Sequence, residues 1–330
     1  MQRSAMKYRR LGRSGLSVSV VGLGCNNFGA RLDARGTKAV VDAAIDAGIT
    51  LFDTADQYGD GQSEVLLAEA LGARRKDVII ATKFGADLEG RQGPDWGARG
   101  SRRYIRRAVE TSLRSLRTDW IDLFQLHWPD PETPIEETLS ALTELVKEGK
   151  VRYIGSSNLA AWQVTDAEWT ARSCNLERFV SAQNEYSLIG RRAEQELVPA
   201  LQHHGVGLLP YFPLVSGLLT GKYKRGVPAA DGTRMNAWKL GELLSDEAFE
   251  VIERLEQYAE ERSISLLDVA IGGLAARPTV SSVIAGATSA EQVQQNARAG
   301  NWVPTAEDTQ ALETLLPTGR GISVNDVIYK

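Results

Sequence analysis

Short apolar runs rich in β-branched residues alternate along the chain with longer segments whose apolar residues recur at helical spacing. Antiparallel strands can turn back within two residues, but parallel neighbours need a crossover of a dozen or more, so this rhythm implies a parallel sheet. The strand candidates are 20–23, 50–53, 78–82, 122–126, 151–156, 180–184, 206–210 and 283–285, which makes eight. Eight βα units predict an α/β fold closed into a (β/α)8 TIM barrel, with a short N-terminal piece at 8–19 that reads as a β-hairpin.

The helices between the strands carry their own punctuation. Thr133, Pro134 and Glu136 read as an N-cap, a first-turn proline and a capping box. Ile135, Leu139, Leu142, Leu145 and Val146 then make a buried stripe that Gly149 ends. An earlier copy buries Val40, Val41, Ala44 and Ile45 and stops at Gly48, just before the strand that finishes in Asp53.

No low-complexity linker divides the chain, so 1–330 is expected to be a single domain, with 1–7 an extension and 317–330 a C-terminal tail. Two long irregular segments, 86–100 and 224–241, carry Gly, Pro and Trp and are expected as active-site loops at the C-terminal face. An open doubly wound sheet is the rival fold. Its first turn needs G-x-G-x-x-G, and after the first strand the chain reads Gly22, Leu23, Gly24, Cys25, Asn26, Asn27, Phe28, Gly29, which does not match.

Net charge is only −4 and the pI about 5.6, so no global field draws the chain to nucleic acid or to an anionic membrane. Arg102, Arg103, Arg106 and Arg107 share a helix with Glu110 and read as a solvated face. Cys25 and Cys174 are the only cysteines, which suggests a reducing, cytoplasmic setting and neither a disulfide framework nor a metal cluster. No run approaches the roughly 18 apolar residues of a membrane span. A small-molecule partner is therefore expected, and the oligomeric state stays open.

Functional side chains of such barrels lie at the C-terminal ends of strands. Asp53 ends the second strand, Lys83 the third and His127 the fourth, while Tyr58 follows Asp53 in a loop. Each has an ordinary structural explanation alone, but four ionisable residues at the ends of consecutive strands point to a shared mouth. His203 and His204, before Gly205, are expected instead at the surface, complementing a helix C-terminus.

The chain resembles the aldo-keto reductase family. The matching stretches are 51–58 (LFDTADQY), 79–83 (IIATK), 121–131 (IDLFQLHWPDP), 149–158 (GKVRYIGSSN), 182–186 (AQNEY), 211–223 (YFPLVSGLLTGKY) and 284–296 (IAGATSAEQVQQN). They occur in order over about 8–316. The resemblance implies an NADPH-dependent reductase of aldehydes or ketones that needs no metal, with Tyr58 as general acid and Asp53, Lys83 and His127 completing a tetrad. An ammonium about 4 Å from the phenol, at an effective dielectric near 20, contributes about 4 kcal/mol, enough to lower a tyrosine pKa by about three pH units. A lowered Tyr58 pKa is therefore expected.

The same resemblance implies cofactor contacts. Ser157, Asn158 and Gln183 look like carboxamide partners and Tyr211 like the ring stacked on nicotinamide. Pro213, Leu214, Ser216 and Gly217 resemble the segment around the pyrophosphate, and Gly286, Thr288, Gln292, Gln295 and Asn296 the adenosine-phosphate end. Lys222 and Arg234 are placed like residues that pair the 2′-phosphate, although many members carry an arginine where this chain has Gln292. Ser289 and Gln292 also read as a plain capping box. Phe28, Phe84, Trp96, Trp128 and the tail beyond Leu316 are candidate walls of a substrate pocket. Two rival functions remain. Because the family includes β-subunits of voltage-gated potassium channels, one is a cofactor-binding redox sensor with little turnover. The other makes Lys83 the Schiff-base nucleophile of a barrel aldolase.

Overall fold

The computed structural model describes residues 6–317, 319 and 321–330. Strands β1 (Tyr8–Arg10) and β2 (Ser17–Ser19) pair antiparallel as a hairpin. Eight further strands follow: β3 (Val21–Gly24), β4 (Leu51–Asp53), β5 (Ile79–Phe84), β6 (Ile121–Leu126), β7 (Val151–Ser157), β8 (Ser181–Gln183), β9 (Gly207–Leu208) and β10 (Val283–Gly286). They form one parallel sheet in the order β10-β3-β4-β5-β6-β7-β8-β9. The ring closes between its ends, where Leu208 N donates to Thr279 O, Ser281 N to Leu208 O and Ile284 N to Pro210 O. The result is a (β/α)8 TIM barrel whose strands agree with the sequence reading to within one or two residues.

Two apolar layers hold it. Outward residues such as Phe52, Ile80, Phe124 and Ile154 meet the buried stripes of the helices, including Val40, Val41 and Ala44 of Ala34–Asp46 and Leu139, Leu142 and Leu145 of Ile135–Lys147. Inward residues Leu51, Ala81, Leu123, Leu209 and Ile284 fill the lower lumen, and Leu11 and Val18 of the hairpin plug it from below. Gly12 makes the plug possible: its φ is +55°, and a Cβ there would lie 2.6 Å from Gly207 N.

Some local expectations change. Thr133 is not a cap, because Pro134 holds an extended ψ of 135° and the helix begins after it, so the capping box with Glu136 does not form. Gly149, at φ +76°, does end that helix. His204 is buried rather than at the surface, its ring against Thr165, because helix Leu197–His204 turns that position inward; His203 remains exposed. The arginine-rich face is knitted to the next helix, Arg102 and Arg106 pairing with Glu144 and Arg106 also with Glu148. Among the described residues no helix is long and apolar enough to cross a membrane.

Candidate active site

Side chains facing the lumen recur every second residue along a strand. At the C-terminal end of the barrel this inward series changes from apolar to polar: Leu51 is followed by Asp53, Ala81 by Lys83 and Leu123 by Gln125. Register sets Asp53 beside Ala81, Lys83 beside Gln125 and Ser157 beside Gln183. The fully buried Lys83 Nζ donates to Asp53 Oδ2 (2.8 Å), to Thr54 O (2.8 Å) and to the Tyr58 hydroxyl (3.2 Å). All three ammonium protons therefore have acceptors. Asp53 Oδ1 accepts in turn from Gln183 Nε2 at 2.8 Å and from Gln125 Nε2 at 3.4 Å. Tyr58 opens a tight turn in which Gly59, Asp60 and Gly61 all have positive φ. A Cβ on Gly59 would come within 2.4 Å of Phe28 O, so the turn seats its tyrosine through that close approach.

Electrostatics set the protonation states. Burial alone would depress Lys83, but Asp53 and Tyr58 outweigh it and hold the ammonium above the usual lysine value. Burial is also the largest influence on Tyr58, and here Lys83 offsets only part of it, so the phenol lies above the usual tyrosine value. This reverses the expected lowering: the attraction has the expected sign, and desolvation exceeds it. Burial, and then the nearby Lys83 charge, push His127 well below the ordinary histidine value, leaving a neutral imidazole. Its ring meets Tyr58 edge-on, with centroids 5.9 Å apart, and its Nδ1 is buried without a partner.

Tyr58 and His127 lie at the floor of a cleft of about 1100 Å3 that runs across the barrel mouth. Asp53 also borders it, while Lys83 sits beneath. Of the residues expected at a cofactor, Ser157, Asn158, Gln183, Tyr211, Pro213, Leu214, Ser216, Gly217, Lys222, Arg234, Gly286, Thr288, Gln292, Gln295 and Asn296 all line this one cleft. Three of its features suit an extended anionic ligand. Val215, Ser216 and Gly217 have consecutive positive φ angles of 47°, 55° and 92°, and the buried Ser216 Oγ has no partner. The N-terminus of helix Ala290–Ala299 opens nearby, capped by Ser289, while Gln292 Oε1 accepts from Thr288 N and Oγ1. Arg31, Lys222 and Arg234 reach the cleft and, among the described residues, pair with no carboxylate. Arg234 binds Asn26 Oδ1 and Asn27 Oδ1 at 3.1 and 3.0 Å, and burial lowers its pKa to about 10.

Gln183 serves Asp53 as well as the cleft, and Gln125, Arg31, Trp238 and Asn325 are participants that the sequence did not single out. The inward register two residues beyond Leu123 could have found Gln125. Trp128 and tail residues Val327, Ile328 and Tyr329 form the apolar wall near His127. Phe28 and Phe84 do not: both are fully buried in the core, and Phe84 packs on Phe124 at 4.6 Å. Trp96 is 76% exposed, and its loop 86–100 lines no part of the cleft, because it folds back on its own side, with Pro94 O accepting from Arg103 and Arg107. Lys83 is poorly suited to a Schiff base, since its nitrogen is inaccessible and held charged by Asp53. Among the described residues no group of three or more His, Cys, Asp or Glu could hold a metal ion.

The model of the aldo/keto reductase family matches residues 20–317. A rice (Oryza sativa subsp. japonica) "Probable voltage-gated potassium channel subunit beta" is 37% identical over 322 residues, covering 94% of this chain and 97% of that protein. L-glyceraldehyde 3-phosphate reductase of Escherichia coli (strain K12) is 34% identical over 308 residues, 90% of this chain and 88% of that protein. Among solved structures, the holo form of an aldo-keto reductase from Bacillus halodurans superposes with a TM-score of 0.78 at 33% identity, covering 95% of this chain and 97% of the other.

Proposed function

Because the chain belongs to the aldo/keto reductase family, a family of oxidoreductases, we propose that it reduces small aldehydes or ketones to alcohols with NADPH, Tyr58 acting as the general acid. The observation that carries this reading is the Tyr58 hydroxyl 3.2 Å from a buried ammonium, on the floor of a cleft that also holds cations with no carboxylate partner among the described residues. Bound in that cleft, the reduced dinucleotide supplies a hydride to the carbonyl carbon. The remaining work falls to the side chains.

A neutral His127, which borders the cleft beside Tyr58, donates a hydrogen bond from its imidazole to the carbonyl oxygen and orients it. Negative charge grows on that oxygen as the carbon is reduced, and Tyr58 hands it a proton. A raised phenol pKa suits this direction, since it keeps Tyr58 protonated at neutral pH and the developing alkoxide is a far stronger base than phenolate. Lys83 then stabilises the phenolate until solvent restores the proton, while Asp53 keeps the ammonium charged and aimed. Arg234, Lys222 and Arg31 favour NADPH over NADH, because a 2′-phosphate would give their charges a partner.

Likeness to the rice channel subunit favours a second reading, a cofactor-dependent redox-sensing subunit with little turnover. Loss of NADPH absorbance over many turnovers with a panel of carbonyl compounds, abolished in Tyr58→Phe, supports the reductase. Tight NADPH binding with less than one turnover per bound cofactor across the panel refutes it and favours the sensor.

A further inference from the structure

The C-terminal tail does not simply drape over the barrel. Ile322 N donates to Ile189 O at 2.7 Å, and the bridge beside it needs Gly321 (φ +66°), where a Cβ would lie 2.0 Å from Ile189 O. Glu185, two residues beyond the end of β8, clasps the next turn: its carboxylate accepts from Ser323 Oγ at 2.7 Å and from the backbone N–H groups of Val324 and Asn325. Val324 is fully buried, and Tyr329 meets the Trp128 ring edge-on at 5.6 Å.

From this clasp a directed chain of hydrogen bonds enters the site. Asn325 Nδ2 donates to the Tyr211 hydroxyl (2.6 Å), Tyr211 donates to Asn158 Oδ1 (2.7 Å), and Asn158 Nδ2 donates to His127 O (2.9 Å) and Ser157 Oγ (3.1 Å). A phenol has one proton. With Asn325 occupying its acceptor side, that proton is committed to Asn158, which fixes both the Tyr211 ring and the Asn158 amide, and successive bonds polarise one another. Tail, cofactor residues and the backbone of His127 thus form one connected unit.

We propose that the docked tail is part of the cofactor site, with Asn325 a positioning residue that acts through Tyr211 and Asn158, so that NADPH binding and tail docking are a single coupled equilibrium. This rests on the NADPH reading given above. Coupling is reciprocal, so loosening the tail must weaken NADPH, and NADPH must tighten the tail by the same factor.

Two measurements on the full chain test it. NADPH dissociation constants, from quenching of protein fluorescence, are compared for wild type, Asn325→Leu, Tyr211→Phe and the double variant. Each single change is expected to weaken NADPH about five-fold, the worth of one hydrogen bond, with the double variant no weaker than Tyr211→Phe alone. Carboxypeptidase release of Lys330, Tyr329 and Ile328, followed by mass spectrometry, should slow about five-fold when NADPH saturates wild type and remain unchanged in Asn325→Leu. Losses that multiply in the double variant, or digestion indifferent to NADPH in wild type, overturn the coupling; should Tyr211→Phe fail to fold, the digestion arm decides. A wild type that binds neither NADPH nor NADH would bring down the cofactor reading itself.

Discussion

Asp53→Asn isolates the electrostatic core of the site. At 2.8 Å and an effective dielectric near 20, the carboxylate attracts the Lys83 ammonium by about 6 kcal/mol, equivalent to about four pH units of lysine pKa. In wild type this attraction, with Tyr58, overcomes burial and holds Lys83 above its usual value. Without it burial dominates, and the lysine should lose its proton below the usual lysine value. Tyr58 then faces a neutral amine, becomes a weaker acid, and loses the charge that stabilises its phenolate. The alkaline limb of kcat/KM for NADPH-dependent reduction should therefore move to lower pH in the variant, which should lose activity in mildly alkaline buffer where wild type keeps it. Stability carries the opposite sign in the two proteins. A folded pKa above the unfolded one gives wild type a contribution that is complete below about pH 10.4 and lost as pH rises through the folded value; a folded pKa below it makes the variant gain stability as pH rises from that folded value to about 10.4. Urea unfolding at pH 7 and pH 9 reads this difference. An unmoved alkaline limb together with parallel stability profiles would refute the view that Asp53 holds Lys83 charged.

Tyr58→Phe should lower kcat by about 10²–10⁴-fold while leaving the NADPH dissociation constant within about two-fold of wild type, as read by steady-state kinetics beside fluorescence titration. Arg234→Leu should weaken NADPH by about ten-fold or more and NADH by much less, with a shallower salt dependence for NADPH. Gly217→Val forces a β-branched residue to φ +92° with its Cβ 2.5 Å from Lys222 Nζ, so it should cost about 1–3 kcal/mol of stability in urea unfolding and weaken NADPH at the Ser216 turn. Leu123→Ala, in the plugged lumen, should cost about 2–5 kcal/mol by the same assay.

What the sequence discloses follows from which physical effect fixes each feature. Strand positions and most helix ends are legible because periodicity and glycine punctuation are local, and Asp53, Lys83 and His127 stand out as ionisable residues at or within one residue of the C-terminal ends of apolar strands. Thr133 misleads because a cap depends on the conformation Pro134 adopts, which its sequence context does not decide. Phe28 and Phe84 read as pocket walls because an aromatic beside a site has the same local pattern whether it faces the cleft or the core. Arg31 and Asn325 are invisible for another reason: Arg31 reaches Gly232 and Asn325 reaches Tyr211 across 201 and 114 residues of chain, and no spacing encodes such meetings. Tyr58 is the most instructive case. A neighbouring lysine could be inferred and the sign of its pull stated, but the net pKa is a difference between that pull and desolvation, and desolvation is set by every chain segment that closes over the phenol. Features that rest on one local effect can therefore be read from a sequence, whereas those left over from two opposed effects require the assembled barrel, and a phenol tuned by burial against charge belongs to the second kind.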